Sequence, residues 1–259
     1  MSQQHYDVFG KSHWLNCLIY SMDGFLILHG KSSGPAVPDC SVTPLAAKLE
    51  ANGYLVDYQA YSWETSRIYL TTFESTTEEI RAGIQRLRES GATRIHLVGH
   101  SMGGNIAIYY AVHNTDFDSF IGLATAHNVH HPTLQYVVKW SVEKARMLVA
   151  EGNDAPSEFV DWNVTDILAR TVKPSCYLSY FDPDGNANMT LNVSRIKRPL
   201  NVLMVGGNKD NTQQTTRMYI FDPMLKTPYS RWVQTNDDHD TVSLNAYDEI
   251  VKWVDNMPK

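Results

Sequence analysis

The stretch Ile95-His96-Leu97-Val98-Gly99-His100-Ser101-Met102-Gly103-Gly104-Asn105-Ile106-Ala107 decides how the rest of the chain is read. A short apolar run ends at Gly99, a serine follows two positions later, and a helical pattern begins with almost no loop between. The pattern is Gly-x-Ser-x-Gly at a strand-to-helix junction. A turn this sharp forces the serine backbone into strain, so the side chains two before and two after it must vanish. Gly99 and Gly103 meet that need. The turn displays the Ser101 hydroxyl at the carboxyl end of the strand, and the new helix aims its first N–H groups at whatever approaches. The bland alternative is a glycine-rich turn with an idle serine. The flanking strand and helix argue against it.

Outward from this stretch, strands and helices alternate. Phe25-Leu26-Ile27-Leu28 is a continuous apolar run ending at His29-Gly30, as in a strand buried on both faces. Leu15 to Tyr20 reads as a short strand before it. Thr43 to Asn52 reads as a helix closed by Gly53, Tyr54 to Tyr58 as a strand, and Glu74 to Ser90 as a helix closed by Gly91. Arg94 to Val98, Met102 to His113 and Phe117 to Leu123 continue the pattern. Later come helices at about Thr133 to Val149 and Ser157 to Ala169, and a strand at Leu200 to Val205. A helix at Thr212 to Phe221, a strand at Ser230 to Gln234 and a closing helix at Val242 to Val254 follow. The expected fold is α/β, with a mainly parallel central sheet covered by helices on both faces.

With Gly-His-Ser-Met-Gly-Gly set between strand and helix, the chain resembles the α/β-hydrolase fold superfamily, from about Phe25 to its end. The resemblance implies a serine hydrolase with Ser101 as nucleophile. Leu200 to Val205 followed by Gly206-Gly207-Asn208-Lys209-Asp210 resembles the strand end that carries the family's acid. His239, in Asn236-Asp237-Asp238-His239-Asp240, then completes the chain order Ser, Asp, His. The backbone N–H groups of Lys31 and Met102 would form the oxyanion hole. The long interval between strands implies a cap or lid over 127–199, with the core formed by 1–126 and 200–259. Its aromatic residues Tyr136, Trp140, Phe159, Trp162, Tyr177, Tyr180 and Phe181 are expected mostly to form the cap's own core. A few would face the pocket and suit an apolar acyl or aromatic group. The hairpin that opens the family's core would be short or missing here.

The chemistry follows. A serine hydroxyl needs a base to take its proton, and an imidazole suits this near neutral pH. Asp210 would orient His239 and stabilise its cation. No metal or organic cofactor is needed, and the partner is a small ester or acyl substrate. Some family members carry the acid one strand earlier, which here would fall near Asp116 or Asp118. His100 is expected to be structural, His127, His130 and His131 to form a loop near the site rather than a metal centre, and Asp182 and Asp184 to be turn residues. Asp237, Asp238 and Asp240 are expected as solvated charges. Thioester or amide cleavage, a lipase or lysophospholipase, a haloperoxidase-like or C–C bond hydrolase, and a non-catalytic binding protein of the same fold are the alternatives.

Composition narrows the field. Of 259 residues 43% are apolar, enough for one globular domain with a large core. The net charge of −6 and the lack of a basic run leave nucleic acid or an anionic membrane surface without an electrostatic footprint. No apolar run approaches the roughly 20 residues of a bilayer span. Cys17, Cys40 and Cys176 form no C-x-x-C pair and read as buried thiols, although one bridge remains open. The opening residues carry no basic-then-apolar segment, so the cytoplasm is the expected compartment, with a secreted protein lacking its leader as the alternative. The sequons at Asn163, Asn188 and Asn192 then read as chance. Oligomeric state leaves no trace in the sequence.

Overall fold

A computed structural model describes residues 22–37, 41–162 and 167–257, and the pairing of two short strands near the start. Those two are β1 (His5–Tyr6) and β2 (Ser12–His13), an antiparallel pair separate from the main sheet. The expected strand at Leu15 to Tyr20, and Cys17, Cys40 and Asn163, lie outside the described residues. The first half continues with β3 (Asp23–Leu28), α1 (Thr43–Ala51), β4 (Leu55–Tyr58), α2 (Thr76–Glu89), β5 (Arg94–His100), α3 (Met102–His113) and β6 (Ser119–Leu123). Next come α4 (Pro132–Ala150), β7 (Ser157–Trp162), β8 (Ile167–Val172), α5 (Pro174–Phe181) and α6 (Met189–Arg195). The chain closes with β9 (Val202–Gly207), α7 (Gln213–Thr216), a π-helical turn at Arg217–Phe221, β10 (Arg231–Thr235), α8 (Thr241–Asn245) and α9 (Tyr247–Asp255).

The central sheet has the order β4-β3-β5-β6-β9-β10, and every neighbouring pair is parallel. Strand residues alternate between two apolar layers because successive side chains point to opposite faces. Phe25, Ile27, Val98, Leu203 and Val205 pack with Leu45 and Leu49 of α1, Val242 of α8, and Ile250 and Trp253 of α9. Leu26, Leu28, Leu97, Phe120 and Met204 pack with Ile80 and Ile84 of α2 and Ile106 and Tyr110 of α3. Both faces are therefore dry, which explains the uninterrupted apolar runs.

The helix expected at Ser157 to Ala169 is instead the β7–β8 antiparallel hairpin, with Phe159 opposite Arg170 and Asp161 opposite Leu168. The reason is a period of two: in Ser157-Glu158-Phe159-Val160-Asp161-Trp162 only Phe159 and Asp161 are buried. The expected helix at Thr212 to Phe221 loosens after one turn into the π-helical segment, and the closing helix breaks at Ala246 into α8 and α9. Helices α5 and α6 were not expected from the pattern. Phe159, Tyr177 and Phe181 stack on one another at centroid separations of 4.6 Å, and these rings join the layer under α2 and α3. Tyr136 and Trp140 are exposed. Among the described residues no helix is long and apolar enough to cross a membrane.

Candidate active site

The strand order creates the site. After β3 the chain turns to β4 on one side, while β5 lies on the other side of β3. Helix α1 covers one face and α3 the other. The connections leaving β3 and β5 thus diverge, and a crevice opens beyond the carboxyl ends of these strands. Ser101 stands there between β5 and α3, with φ 53° and ψ −120°. Such a backbone costs about 1–3 kcal/mol and persists only where its surroundings enforce it. Here the Ser101 N–H donates to the Leu123 carbonyl at 3.0 Å, and its carbonyl accepts from Gly104 N at 3.0 Å and Ala126 N at 3.1 Å. A Cβ on Gly99 would lie 2.6 Å from the Gly104 backbone nitrogen, and one on Gly103 would strike the Leu28 carbonyl oxygen. Both glycines are demanded by close approach, as the spacing predicts.

The other two candidates arrive from neighbouring strand ends. Asp210 follows β9, and His239 follows β10. His239 Nδ1 donates to Asp210 Oδ2 at 2.7 Å, and His239 Nε2 lies 2.9 Å from Ser101 Oγ. Asp210 also accepts from Thr212 N at 2.9 Å, Thr212 Oγ at 2.7 Å and Gln213 Nε2 at 3.0 Å. Burial pushes the Asp210 carboxyl up, but the bonds from His239 and Thr212 outweigh it and hold it below its ordinary range. The structure thus brings Ser101, His239 and Asp210, which are far apart in sequence, into one hydrogen-bonded line. His100 Nε2 donates to the His239 carbonyl at 3.0 Å and so fixes the loop that carries the imidazole. Burial, aided by the adjacent His239 ring, lowers the His100 pKa to about 4 and keeps it neutral for that task.

An open cleft lies over Ser101, with Lys31 and Met102 in its wall. Met102, Ala126, Leu134 and Trp162 give it apolar surface, and Asn128, Thr212 and Thr215 polar surface. Of the aromatic residues singled out at 127–199, Trp162 is the one in this wall. The loop bearing Lys31 is tightly held. Trp63 Nε1 donates to the His29 carbonyl at 2.8 Å, while His29 Nδ1 donates to the Gly30 carbonyl at 2.8 Å and Nε2 accepts from Tyr61 N at 3.3 Å. Burial lowers the His29 pKa to about 4.

The rival residues do other work. Asp116 accepts from the Tyr110 hydroxyl at 2.8 Å, and Asp118 from Ile95 N at 2.7 Å, so neither partners His239. Asp182 and Asp184 receive Arg146. Asp238 accepts from Thr241 N at 2.9 Å and Asp237 from Asn245 at 2.6 Å. His127 donates from Nε2 to the Tyr180 carbonyl at 2.9 Å, and His131 Nδ1 caps α4 by accepting from Thr133 N at 3.3 Å. Among the described residues no group of three or more His, Cys, Asp or Glu is arranged to hold a metal.

Sequence reading missed Asp161 on β7. Its carboxylate is buried beside the cleft wall and receives Lys31 Nζ at 2.8 Å and the Tyr69 hydroxyl at 3.0 Å. An aspartate at an inward position of an alternating strand was the available signal. Asn105, missed as well, donates to the carbonyls of His127 at 3.0 Å and Ala187 at 2.8 Å and ties α3 to the loop over the site.

A six-stranded parallel sheet with a strained serine at its carboxyl rim defines the class, an α/β protein built around a strand–turn–helix elbow. The chain belongs to the alpha/beta hydrolase fold family, whose profile matches residues 24–202. No curated protein sequence matches it. Among solved structures, a monoacylglycerol lipase from Paleococcus ferrophilus is similar over 89% of this chain and 93% of its own, with 17% identity and a TM-score of 0.62. A soluble variant of the Saccharomyces cerevisiae monoglyceride lipase, in complex with a substrate analogue, is similar over 92% and 88%, with 13% identity and a TM-score of 0.61. A structure from work on the metagenome-derived lipolytic enzymes LipS and LipT is similar over 90% and 91%, with 18% identity and a TM-score of 0.60. At these identities the likeness is one of fold.

Proposed function

We propose that this chain is a serine hydrolase that cleaves carboxylic esters through an acyl-enzyme on Ser101. The observation that carries the reading is the line Asp210–His239–Ser101, at 2.7 and 2.9 Å, opening into the cleft. Ser101 Oγ attacks the ester carbonyl carbon while its proton passes to His239 Nε2. Asp210 keeps the ring oriented and stabilises the imidazolium. The N–H groups of Lys31 and Met102 receive the negative charge on the former carbonyl oxygen. His239 then protonates the departing alcohol, and the acyl group stays on Ser101. Water loses a proton to His239 and attacks the acyl carbon; the imidazolium then returns that proton to Ser101 Oγ as the acyl–oxygen bond breaks, and the acid leaves. Segment 127–199 acts as a cap, and Trp162 and Leu134 give the acyl or aromatic part of the substrate an apolar wall. The lipolytic neighbours in fold support ester substrates.

A fluorophosphonate probe tests the nucleophile: wild-type protein labels at Ser101, and Ser101→Ala does not. Wild-type protein that stays unlabelled would point to a non-catalytic binder. A panel of p-nitrophenyl esters of rising chain length, with a thioester and an anilide as comparators, then ranks the substrates.

A further inference from the structure

We propose that Asp161 is a positioning residue for ester hydrolysis, acting through Lys31 to fix the oxyanion loop. This rests on the reading of Ser101 given above. Lys31 follows His29-Gly30, and its backbone N–H is one of the two oxyanion donors in that reading. Its side chain runs to the β7–β8 hairpin. There Nζ donates to Asp161 Oδ1 at 2.8 Å and to the Trp162 carbonyl at 2.6 Å. The side chains of Lys31 and Asp161 are 7% and 1% exposed, so the pair is shielded from water. Tyr69 donates to the same carboxylate oxygen at 3.0 Å, and Arg170 Nε approaches the other at 3.4 Å. The carboxylate is therefore held from two further directions and offers Lys31 a rigid anchor.

A buried ion pair is a poor device for stability alone, because desolvating two charges offsets much of their attraction. What it supplies is direction. The Gly30 carbonyl and the Lys31 N–H belong to one planar trans peptide, so they point opposite ways. His29 Nδ1 holds the carbonyl at 2.8 Å, and Ser32 N donates to the Trp63 carbonyl at 3.0 Å on the far side of residue 31. The anchor at Nζ fixes the remaining freedom of residue 31. The same ammonium holds the end of β7, and so the cap element that carries Trp162 is tied to the loop that receives the developing charge. A displacement of well under 1 Å at such a donor is enough to weaken transition-state binding.

The test compares Asp161→Asn, Lys31→Met and the double variant, with kcat and KM on a short-chain p-nitrophenyl ester, the Ki of phenylboronic acid, and the thermal midpoint. Each single variant is expected to lose at least about tenfold in kcat with KM within threefold, and phenylboronic acid is expected to weaken in parallel because it mimics the tetrahedral state. The double variant is expected to be no worse than the singles, since both remove one contact. It also leaves no unpaired buried charge, so it decides the matter should Asp161→Asn fail to fold. Folded variants with wild-type kcat and unchanged boronic acid affinity would overturn this proposal alone. Losses that multiply in the double variant, or that track only the folded fraction, would overturn it too. Wild-type protein that neither turns over esters nor labels at Ser101 would overturn the parent reading, and this one with it.

Discussion

Two arrays of serine, histidine and aspartate sit at opposite ends of the same sheet. At the carboxyl rim, Asp210 pairs with His239 Nδ1, and Nε2 faces Ser101. At the amino end, His96 Nε2 donates to Asp23 at 3.0 Å, and its Nδ1 pairs with the Ser119 hydroxyl at 2.7 Å. The distances are alike, yet the surroundings differ in every respect that matters for chemistry. Ser119 begins β6 and is buried, whereas Ser101 has φ 53° and lines a cleft. Asp23 is shared with Arg94, which donates from Nε at 2.6 Å and from a terminal nitrogen at 2.9 Å. Among the described residues Asp210 forms no ion pair with a lysine or arginine; its partners are His239, Thr212 and Gln213. The amino-end array cross-links β3, β5 and β6. Hydrogen-bond geometry alone does not make a nucleophile; strand polarity, backbone strain and access to a cleft do.

The largest effect expected is on turnover. Ser101→Ala should lower kcat/KM by about a thousandfold or more in an ester assay, because in the proposed mechanism it removes the attacking atom. Asp210→Asn should follow, with kcat about a hundred- to ten-thousandfold lower, since the amide cannot hold the same tautomer of His239. Asp23→Asn is the matched change at the other end. It should leave kcat within a fewfold, yet cost about 1–3 kcal/mol in urea unfolding, because the partly buried Arg94 guanidinium loses its two hydrogen bonds to the carboxylate. A tenfold loss of kcat in folded Asp23→Asn would break the contrast.

Acid separates the two ends next. Burial lowers the pKa of His29, His100 and His127 to about 4 each, and all three flank the cleft end. Near the ordinary value of 6.5 an unfolded histidine takes up a proton that the folded one refuses. Their contribution to stability is therefore complete above pH 6.5 and is lost as pH falls towards 4. The slope is on the order of 1.4 kcal/mol per pH unit for each. Asp210 and Asp161, held low by their partners against the effect of burial, lose their contributions at still lower pH. Urea midpoints measured from pH 7.5 to 4.5 should fall steeply below 6.5. His100→Gln, which keeps a donor for the His239 carbonyl, should reduce the slope by about one histidine's share. An unchanged slope would remove His100 from the account.

How much of this was legible depends on how local each determinant is. Gly99, Ser101 and Gly103 constrain one another within five residues, so the elbow could be read directly. Asp210 and His239 are singled out through the resemblance, because a glycine turn or an acidic loop after a strand matches the family's acid and histidine positions; the structure sets both side chains in line with Ser101. Lys31 and Asp161 are 130 residues apart, and nothing in either segment announces the other. The β7–β8 hairpin reads as a helix in the sequence because apolar residues at 159, 160 and 162 satisfy a helical spacing as readily as alternation. Tertiary burial of Phe159 and Asp161 decided it. Helix α5 carries its own start signal in Lys173-Pro174, but it is short, and its aromatic residues conceal its period. The array at Asp23, His96 and Ser119 is illegible in the sequence because its parts meet only across paired strands, with Asp23 opposite Arg94 and His96 opposite Ser119.

The smallest effect expected is also the sharpest discriminator. Ser119→Ala removes a hydroxyl paired with a buried imidazole and leaves His96 Nδ1 without its 2.7 Å partner. An unsatisfied buried polar atom costs about 1–3 kcal/mol. In a chain of this size that corresponds to roughly 2–4 °C in thermal midpoint per kcal/mol. Turnover should stay within about threefold of wild type, because nothing at the carboxyl rim contacts Ser119. The decisive comparison uses fluorophosphonate labelling of Ser101→Ala alone and of Ser101→Ala with Ser119→Ala, followed by peptide mapping. Neither should label. Adduct on Ser119 in the single variant would mean that the amino-end array opens to solvent and activates its serine, and strand polarity would then no longer separate the two arrays.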